Sequence, residues 1–390
     1  MAAGAPAPRP RDVFLVAGEP SGDQLGFKLM RALRAADPAI SLRGVGGPAM
    51  EREGLRSLFS MDDISVMGFL PVVRRLPLLL RRIRETADAV IADPPGALVI
   101  IDSPDFTHRV ARRVRKALPD LPILDYVSPS VWAWRPGRAR KMRAYVDEVL
   151  ALLPFEPEAH ARLGGPHCVY VGHPLIERLG ELRGARDAAR SGPPLVVALP
   201  GSRRSEVERL MDDFGAALAL VAARCGPIDV VLPTLPHVEA LVREKARLWP
   251  LPPRIVLGEA EKFASFAQAR AALAASGTVT LELALAQTPM VVAYRVSAPE
   301  AALARRLVSA PSIVLPNLVL GANAIPELLQ EDCTPQRLAD ALAPLIAGGP
   351  ARDAQVAALA RLDGLMRLAG DEAPSAVAAR ETLRLIQERA

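Results

Sequence analysis

The sequence predicts an α/β protein made of two Rossmann-like domains that face each other across a cleft. Three observations predict it. Short apolar runs rich in β-branched residues alternate with stretches of helical periodicity, the pattern of parallel sheets covered on both faces. Each half of the chain carries a glycine turn directly after such a run, where a strand hands over to a helix. At 390 residues the chain is too long for a single compact core.

Composition sets the boundaries and excludes several classes. Residues 1–12, rich in Ala and Pro, read as a disordered leader and not as a signal peptide. The first domain is expected over 13–185 and the second over 190–365, joined by the polar stretch Gly180 to Pro194. Residues 366–390 read as a C-terminal helix that packs back on the first domain or on a partner subunit. Hydrophobic residues make up 50% of the chain, which excludes a disordered protein. The net charge of +5 is uneven: residues 1–185 carry 26 Lys and Arg against 21 Asp and Glu, and the rest carry 22 against 22. The first half is therefore the better match for an anionic surface. Aromatics, at 4%, are too few for a platform that stacks single strands, so no nucleic-acid partner is expected. Cys168, Cys225 and Cys333 lie far apart and read as free thiols of a reducing compartment. No apolar run approaches the roughly 18 residues of a spanning helix, so the protein is expected to be soluble or peripheral, and cytoplasmic.

In chain order, the first strand is Val13 to Ala17, followed by Gly18-Glu19-Pro20-Ser21-Gly22-Asp23 and a helix with Leu25, Leu29 and Leu33. This turn lacks the Walker ending and the Gly-x-Gly-x-x-Gly spacing. Its acids suit sugar hydroxyls better than phosphate; a plain turn with a capping Asp is the alternative. Arg43 to Pro48 is a second glycine-rich turn. From Ile64 to Arg84 apolar residues are dense, broken by Pro71 and Pro77, and five arginines occur with no acid until Glu85. Val66, Met67, Phe69, Leu70, Val72, Val73 and Leu76 beside Arg74 and Arg75 make the pattern of a segment lying in a bilayer interface. A core helix with a basic solvated face is the competing reading.

Ala97 to Ile101 is a strand ending at Asp102, and ligands of open α/β sheets bind beyond such ends. Ile123 to Val127 leads into Ser128-Pro129-Ser130-Val131-Trp132-Ala133-Trp134-Arg135, which holds two of the three tryptophans. They wall a ligand cleft or simply pack. Two further strands, around Val149 and Val169, complete the first half.

The second half opens on Leu195 to Leu199 and the turn Pro200-Gly201-Ser202-Arg203-Arg204. Gly201 permits a sharp turn, Ser202 or Ser205 can cap the helix, and Ser205 with Glu208 has capping-box spacing. A helix start with Arg203 and Arg204 favours a phosphate or diphosphate, against an ordinary turn with solvated arginines. Strands follow at Ile228, Arg254 and Ala271. The last opens Ser276-Gly277-Thr278-Val279-Thr280, whose hydroxyls suit a diphosphate, with Glu282 one turn on to accept ribose hydroxyls. The next strand is Pro289 to Tyr294; Ile313 to Leu318 and Ile325 to Gln330 supply further polar groups among apolar ones, and the remaining stretch, with Leu338, Leu342 and Leu345, reads as helical to Ala390. The histidines and cysteines show no His-Glu-x-x-His or Cys-x-x-Cys spacing, so neither metal nor cofactor is expected. No Gly-x-Ser-x-Gly elbow is present.

Taken together, GEPSGD (18–23), IDSPDF (101–106), YVSPSVWAWR (126–135), LPFE (153–156), GHPL (172–175), LPGSR (199–203), ASGTVTLE (275–282), LPNL (315–318) and PELLQ (326–330) resemble the lipid-A-disaccharide synthase family, bacterial glycosyltransferases of the two-Rossmann GT-B type. One departure is Ala322-Asn323, where many relatives carry Arg-Glu. The resemblance implies an inverting, metal-independent transfer from UDP-2,3-diacylglucosamine to 2,3-diacylglucosamine 1-phosphate (lipid X) on the cytoplasmic face of the inner membrane. It implies Asp102 as general base and Glu19, Ser21, Gly22, Asp23 and Trp132 on the acceptor side. Gly201, Ser202, Arg203, Ser276, Gly277, Thr278, Glu282, Asn317, Glu327 and Gln330 would serve the UDP side, and a homodimer is compatible with it. Two other readings stand beside it: a transferase or epimerase using UDP-N-acetylglucosamine without acyl chains, and an inactive nucleotide binder on the membrane.

Overall fold

The computed structural model describes residues 12–65, 69–184, 192–308 and 310–389. The expected leader up to residue 11, Val66 and Met67, and residues 185–191 of the expected linker lie outside them, as do the side chains of residues 69–74. The chain divides into two compact units, Met1–Pro174 with Leu368–Ala390, and Leu175–Arg367.

In the first unit the strands are β1 (Asp12–Ala17), β2 (Ser41–Val45), β3 (Ala97–Ile101), β4 (Ile123–Tyr126), β5 (Glu148–Ala151) and β6 (His167–Tyr170). They form one parallel sheet in the order β2-β1-β3-β4-β5-β6. Its helices are α1 (Pro20–Ala36), α2 (Pro48–Arg52), α3 (Phe69–Ala92), α4 (Pro104–Ala117), α5 (Gly137–Met142) and α6 (Glu156–Leu163). The chain leaves β1 toward β2 on one side and returns as β3 on the other, so the switch point lies between β1 and β3. There Ala17 pairs with Ile101, which sets the turn after β1 beside Asp102.

The second unit starts earlier than the expected boundary at 185. Residues 175–184, with α7 (Leu179–Arg183), pack inside it because Leu182 is buried, Arg178 pairs with Glu259 at 3.1 Å and Arg183 reaches the Leu285 carbonyl at 3.0 Å. Then come β7 (Leu195–Leu199), α8 (Arg204–Cys225), β8 (Asp229–Thr234), α9 (Glu239–Ala246), β9 (Arg254–Leu257), α10 (Glu259–Gln268), β10 (Ala271–Ala275) and α11 (Thr278–Leu285). The unit continues through β11 (Met290–Tyr294), α12 (Ala298–Leu307), α13 (Leu315–Leu320), β12 (Glu327–Leu329), α14 (Pro335–Ala347) and α15 (Pro350–Met366). Its parallel sheet runs β12-β11-β10-β7-β8-β9, and the switch point falls between β7 and β10. The two glycine turns, at Gly201 and Gly277, follow those two strands and so lie side by side.

The last helix, α16 (Pro374–Glu388), belongs to the first unit. Val377, Ala378, Ala379 and Ile386 enter the core that β1 and β3 share, and Arg389 pairs with Asp147 at 2.9 Å. Every residue of β3, β7 and β10 is buried, as the continuous apolar runs require. Edge strands β2 and β12 are only partly buried and carry polar residues, so no apolar run announced them; Arg43 to Val45 is strand and not turn. Among the described residues no helix is long and apolar enough to cross a membrane.

Candidate active site

At the first switch point the turn after β1 and the turn after β3 are pressed together. A Cβ on Gly18 would fall 2.5 Å from that of Ser103, so the position admits only hydrogen. Ser21, in the first turn of α1, donates from Oγ to Asp102 Oδ2 at 2.8 Å, and the Ser103 amide donates to Oδ1 at 2.7 Å. Asp102 and Ser103 both hold positive φ, 55° and 46°. Such backbone is costly for L residues and persists where the surroundings over-determine it. The Asp102 amide bonds the Tyr126 carbonyl at 3.1 Å, and the Thr107 hydroxyl bonds the Asp102 carbonyl at 2.7 Å. The carboxylate is half-buried, fixed from both oxygens, and keeps acceptor capacity for one more donor.

The other residues expected on the acceptor side divide. Glu19 lies at the start of α1 with extended backbone, and Gly22 is buried beneath it. Asp23 is buried, and its carboxylate accepts the amides of Gly47 (2.8 Å), Ala49 (2.8 Å) and Met50 (3.0 Å). It anchors the turn before α2 from both oxygens, the geometry of the capping alternative for this residue. Trp132 donates from Nε1 to Glu156 Oε1 at 3.1 Å and meets the Phe155 ring edge-on at 5.2 Å. Its loop begins at Val127, with φ of 90°, and ends at Arg135, with φ of 55°. Three of the six positive-φ non-glycine residues among those described therefore sit at the carboxyl ends of β3 and β4, and a fourth closes the loop after β4. Strain of this kind collects where ligands are handled.

In the second unit the turn after β7 closes on a side chain of its own. Gly201 has φ of 129°, and a Cβ there would fall 2.4 Å from that of Glu206. Glu206 Oε2 accepts the amides of Ser202 (2.9 Å) and Arg203 (3.2 Å), and Oε1 accepts Arg203 Nη1 at 2.8 Å. The capping residue of α8 is thus Glu206 reaching back; neither Ser202 nor Ser205 caps with its side chain, and Glu208 pairs with Arg204 at 2.8 Å instead. The turn amides expected to hold a diphosphate already hold a carboxylate.

The turn after β10 is different. Among the described residues the amides of Thr278 and Val279 have no hydrogen-bond partner, and the Thr278 hydroxyl is exposed and unengaged. Gly277, with φ of 157°, opens the turn and leaves space around it. The Ser276 and Thr280 hydroxyls, read as diphosphate donors, instead bond the carbonyls of Ile313 and Gly277, each at 2.8 Å. Lys262 Nζ lies 3.0 and 2.9 Å from the two oxygens of Glu282 and hydrogen-bonds Oε1, while buried Oε2 has that charge beside it but, among the described residues, no hydrogen bond. Asn317 is buried and ties the Ile325 main chain on both sides at 2.9 Å, while also donating to Glu327 at 3.0 Å. Glu327 accepts in addition the Ser312 hydroxyl and the Ile313 amide. Asn317 and Glu327 are therefore a strap across residues 312–327, behind the Gly277 turn. Gln330, with φ of 50°, pairs its amide with the Val296 main chain, both contacts at 3.2 Å. Ala322 and Asn323 are exposed. A cavity of about 380 Å³ opens at the other end of this sheet, among Leu195, Ile228, Val230 and Arg254, where the strands begin and ligands of such folds do not bind.

The model of the family described as lipid-A-disaccharide synthetase matches residues 13–379. The chain belongs to that family. It is 58% identical over 383 residues to the lipid-A-disaccharide synthase of Nitrobacter hamburgensis, covering 97% of this chain and 96% of that one. It is 57% identical to that of Bradyrhizobium diazoefficiens, covering 95% of each. The family places it among the glycosyltransferases of lipid A biosynthesis. In fold it matches the calicheamicin glycosyltransferase with a TM-score of 0.59 at 19% identity, over 97% of this chain and 99% of that one. A UDP-GlcNAc 2-epimerase from Neisseria meningitidis, solved bound to UDP-GlcNAc, matches at 0.59 and 10% over 97% and 100%. These show the two-domain α/β fold of GT-B glycosyltransferases.

Within this lipid-A-disaccharide synthetase frame several side chains at the two switch points escaped sequence reasoning. Glu206 and Lys262 grip residues that were singled out, and His237 Nε2 contacts the Ser202 carbonyl at 2.8 Å. Glu156, within LPFE, is buried, and desolvation pushes its carboxyl up to about 7 against the amide and indole that hydrogen-bond it. Ser128 pairs with His160 at 2.8 Å behind the Trp132 loop. Below it, His108 links Asp125 (3.0 Å) to Tyr145 (3.1 Å). Of these, only Glu156, in LPFE, and Ser128, in YVSPSVWAWR, fall within the family motifs.

Proposed function

We propose that the chain condenses UDP-2,3-diacylglucosamine with 2,3-diacylglucosamine 1-phosphate, releasing UDP and a β-1,6-linked disaccharide 1-phosphate. The observation that carries this reading is the Asp102 carboxylate, held by Ser21 and by strained backbone at the first switch point. A general base must be fixed within hydrogen-bond reach of the proton that it removes. Asp102 takes the proton of the acceptor's 6-hydroxyl as that oxygen bonds to the donor's anomeric carbon. The bond from that carbon to the diphosphate breaks from the opposite face, the electron pair leaves with UDP, and the configuration inverts.

The second unit serves the leaving group. The free amides at the start of α11 and the Thr278 hydroxyl supply donors for the developing diphosphate charge, and Arg203 supplies a full positive charge. Glu282, oriented by Lys262, accepts the ribose hydroxyls. Acyl chains keep both substrates in the cytoplasmic leaflet of the inner membrane, and α3 is the docking element. Leu76 and Leu80, 45% and 36% exposed, lie one turn apart beside exposed Arg75, Arg81 and Arg84.

The test is release of UDP from the acylated donor, with and without the acylated acceptor, beside UDP-N-acetylglucosamine. Release that needs both acylated sugars supports the reading. Turnover of the non-acylated donor alone points to a transferase or epimerase of another substrate class.

A further inference from the structure

Glu206 is 7% exposed at the third position of α8, and both of its oxygens are in use. Oε2 takes the Ser202 and Arg203 amides, and Oε1 takes one terminal nitrogen of the Arg203 guanidinium. Gly201 folds over this side chain so closely that a Cβ would collide with it, and His237 holds the Ser202 carbonyl. The carboxylate is therefore enclosed by the turn that it organises. Arg203, in contrast, is 64% exposed along its side chain, and among the described residues Glu206 is its only charged partner. Without that partner a long exposed arginine would sample many rotamers, and holding one nitrogen leaves the rest of the planar fork available in a defined orientation. An incoming diphosphate also meets amides already satisfied by an anion, which repels a second one.

We infer that Glu206 is a positioning residue for the transfer: it presets Arg203, and the donor's diphosphate meets the outer edge of that guanidinium and not the Ser202 and Arg203 amides. This rests on the reading that Arg203 serves UDP. The competing role for the same geometry is a placeholder, a carboxylate that the diphosphate displaces from the turn.

A double-mutant cycle on UDP affinity, measured by calorimetry with the full-length chain, separates these. Glu206→Gln keeps the side chain's shape but cannot accept both the amides and the guanidinium. It is expected to weaken UDP about tenfold in the native background and to have no effect beside Arg203→Ala. An equal loss in both backgrounds would mean that Glu206 does not act through Arg203, and overturns the inference. Tighter binding in Glu206→Gln would show a displaced placeholder and also overturns it. If Arg203→Ala binds UDP as the native chain does, the reading of Arg203 itself fails first. Should Glu206→Gln not fold, judged by thermal melting, Arg203→Lys carries the test. A lysine keeps the charge and can still contact Glu206, but its ammonium has no second planar edge for that contact to aim, so it should lose nearly as much affinity as alanine; native affinity with lysine refutes presetting.

Discussion

Ser21 and Asp102, 81 residues apart, share a 2.8 Å hydrogen bond that ties the turn after β1 to the turn after β3. The hydroxyl is exposed and Asp102 is half-buried, so the bond orients the carboxylate more than it stabilises the fold. Ser21→Ala should lower kcat roughly tenfold, the order of one hydrogen bond to a charged group, and leave the melting temperature nearly unchanged. Steady-state kinetics with the acylated pair measures it. An unchanged kcat would show that Ser103 and the backbone suffice to aim the base.

Asp102→Asn isolates the base from the backbone that carries it. Asparagine tolerates positive φ better than most residues, so the strained turn should survive the exchange. The amide cannot take a proton. Turnover should fall by about three orders of magnitude, in the range seen for loss of general-base catalysis, with UDP affinity retained. Turnover near the native rate removes Asp102 from the role.

Lys262 and Glu282 form a pair with little solvent at either end, 21% and 13% exposed along their side chains. Removing one partner of such a pair strands the other charge. Lys262→Met should destabilise the second unit by roughly 3 kcal/mol or less, given the residual exposure. It should also weaken UDP by misplacing the ribose acceptor. Glu282→Gln leaves a lysine that can swing to solvent, so it should cost less stability but as much affinity. Urea melts and UDP titrations of the two variants test the asymmetry.

These pairs mark where sequence reading stops. Strands β1, β3, β7, β10 and β11 are buried on both faces, and their apolar runs announce them; β2 and β12, at sheet edges, need only partial burial, so β2 reads as a glycine turn and β12 as polar groups among apolar ones. The place of Asp102 directly after β3 was legible, because a carboxylate closing an apolar run is conspicuous. Asp23, Asn317 and Glu327 looked equally conspicuous, yet burial turns them into anchors for the main chain. In a turn, the same polar residue can face a ligand or an amide, and only its surroundings decide. Glu206 and Lys262 were illegible for the opposite reason. Charged residues on helices are common, and nothing local tells that one faces a functional partner.

Docking by α3 makes a separate claim on exposed side chains. Leu76 and Leu80 contribute little to the core, so changing both to Ser should alter stability by no more than about 0.5 kcal/mol each. Partial burial of two leucines in an interface gives on the order of 2 kcal/mol, so partitioning onto vesicles with anionic lipid should fall by more than tenfold. Activity on detergent-dispersed substrates should persist. Vesicle binding at the native level would put the docking surface elsewhere.

Glu156 should make the first unit sensitive to pH near neutrality. Burial raises its carboxyl to about 7, against an unperturbed value of 4.5. As pH rises from 4.5, the unfolded chain loses this proton while the folded chain keeps it, so stability falls across the window and levels off above 7. A shift of that size corresponds to roughly 3 kcal/mol. Glu156→Gln removes the titration but keeps a carbonyl oxygen for either the Trp132 indole or the Leu153 amide, which donate at 3.1 and 2.9 Å. The variant should therefore gain stability relative to the native chain as pH rises from 5 to 7 and exceed it at pH 8; His160 and His173, which burial holds below the usual imidazole range, shape both profiles alike. Trp132 should report the same event directly, because ionisation places a negative charge against its ring nitrogen. A change in native tryptophan emission with a midpoint near pH 7, absent from the variant, is the expected result. A stability difference between variant and native chain that stays constant across that range, with native emission also constant, would return Glu156 to an ordinary carboxylate.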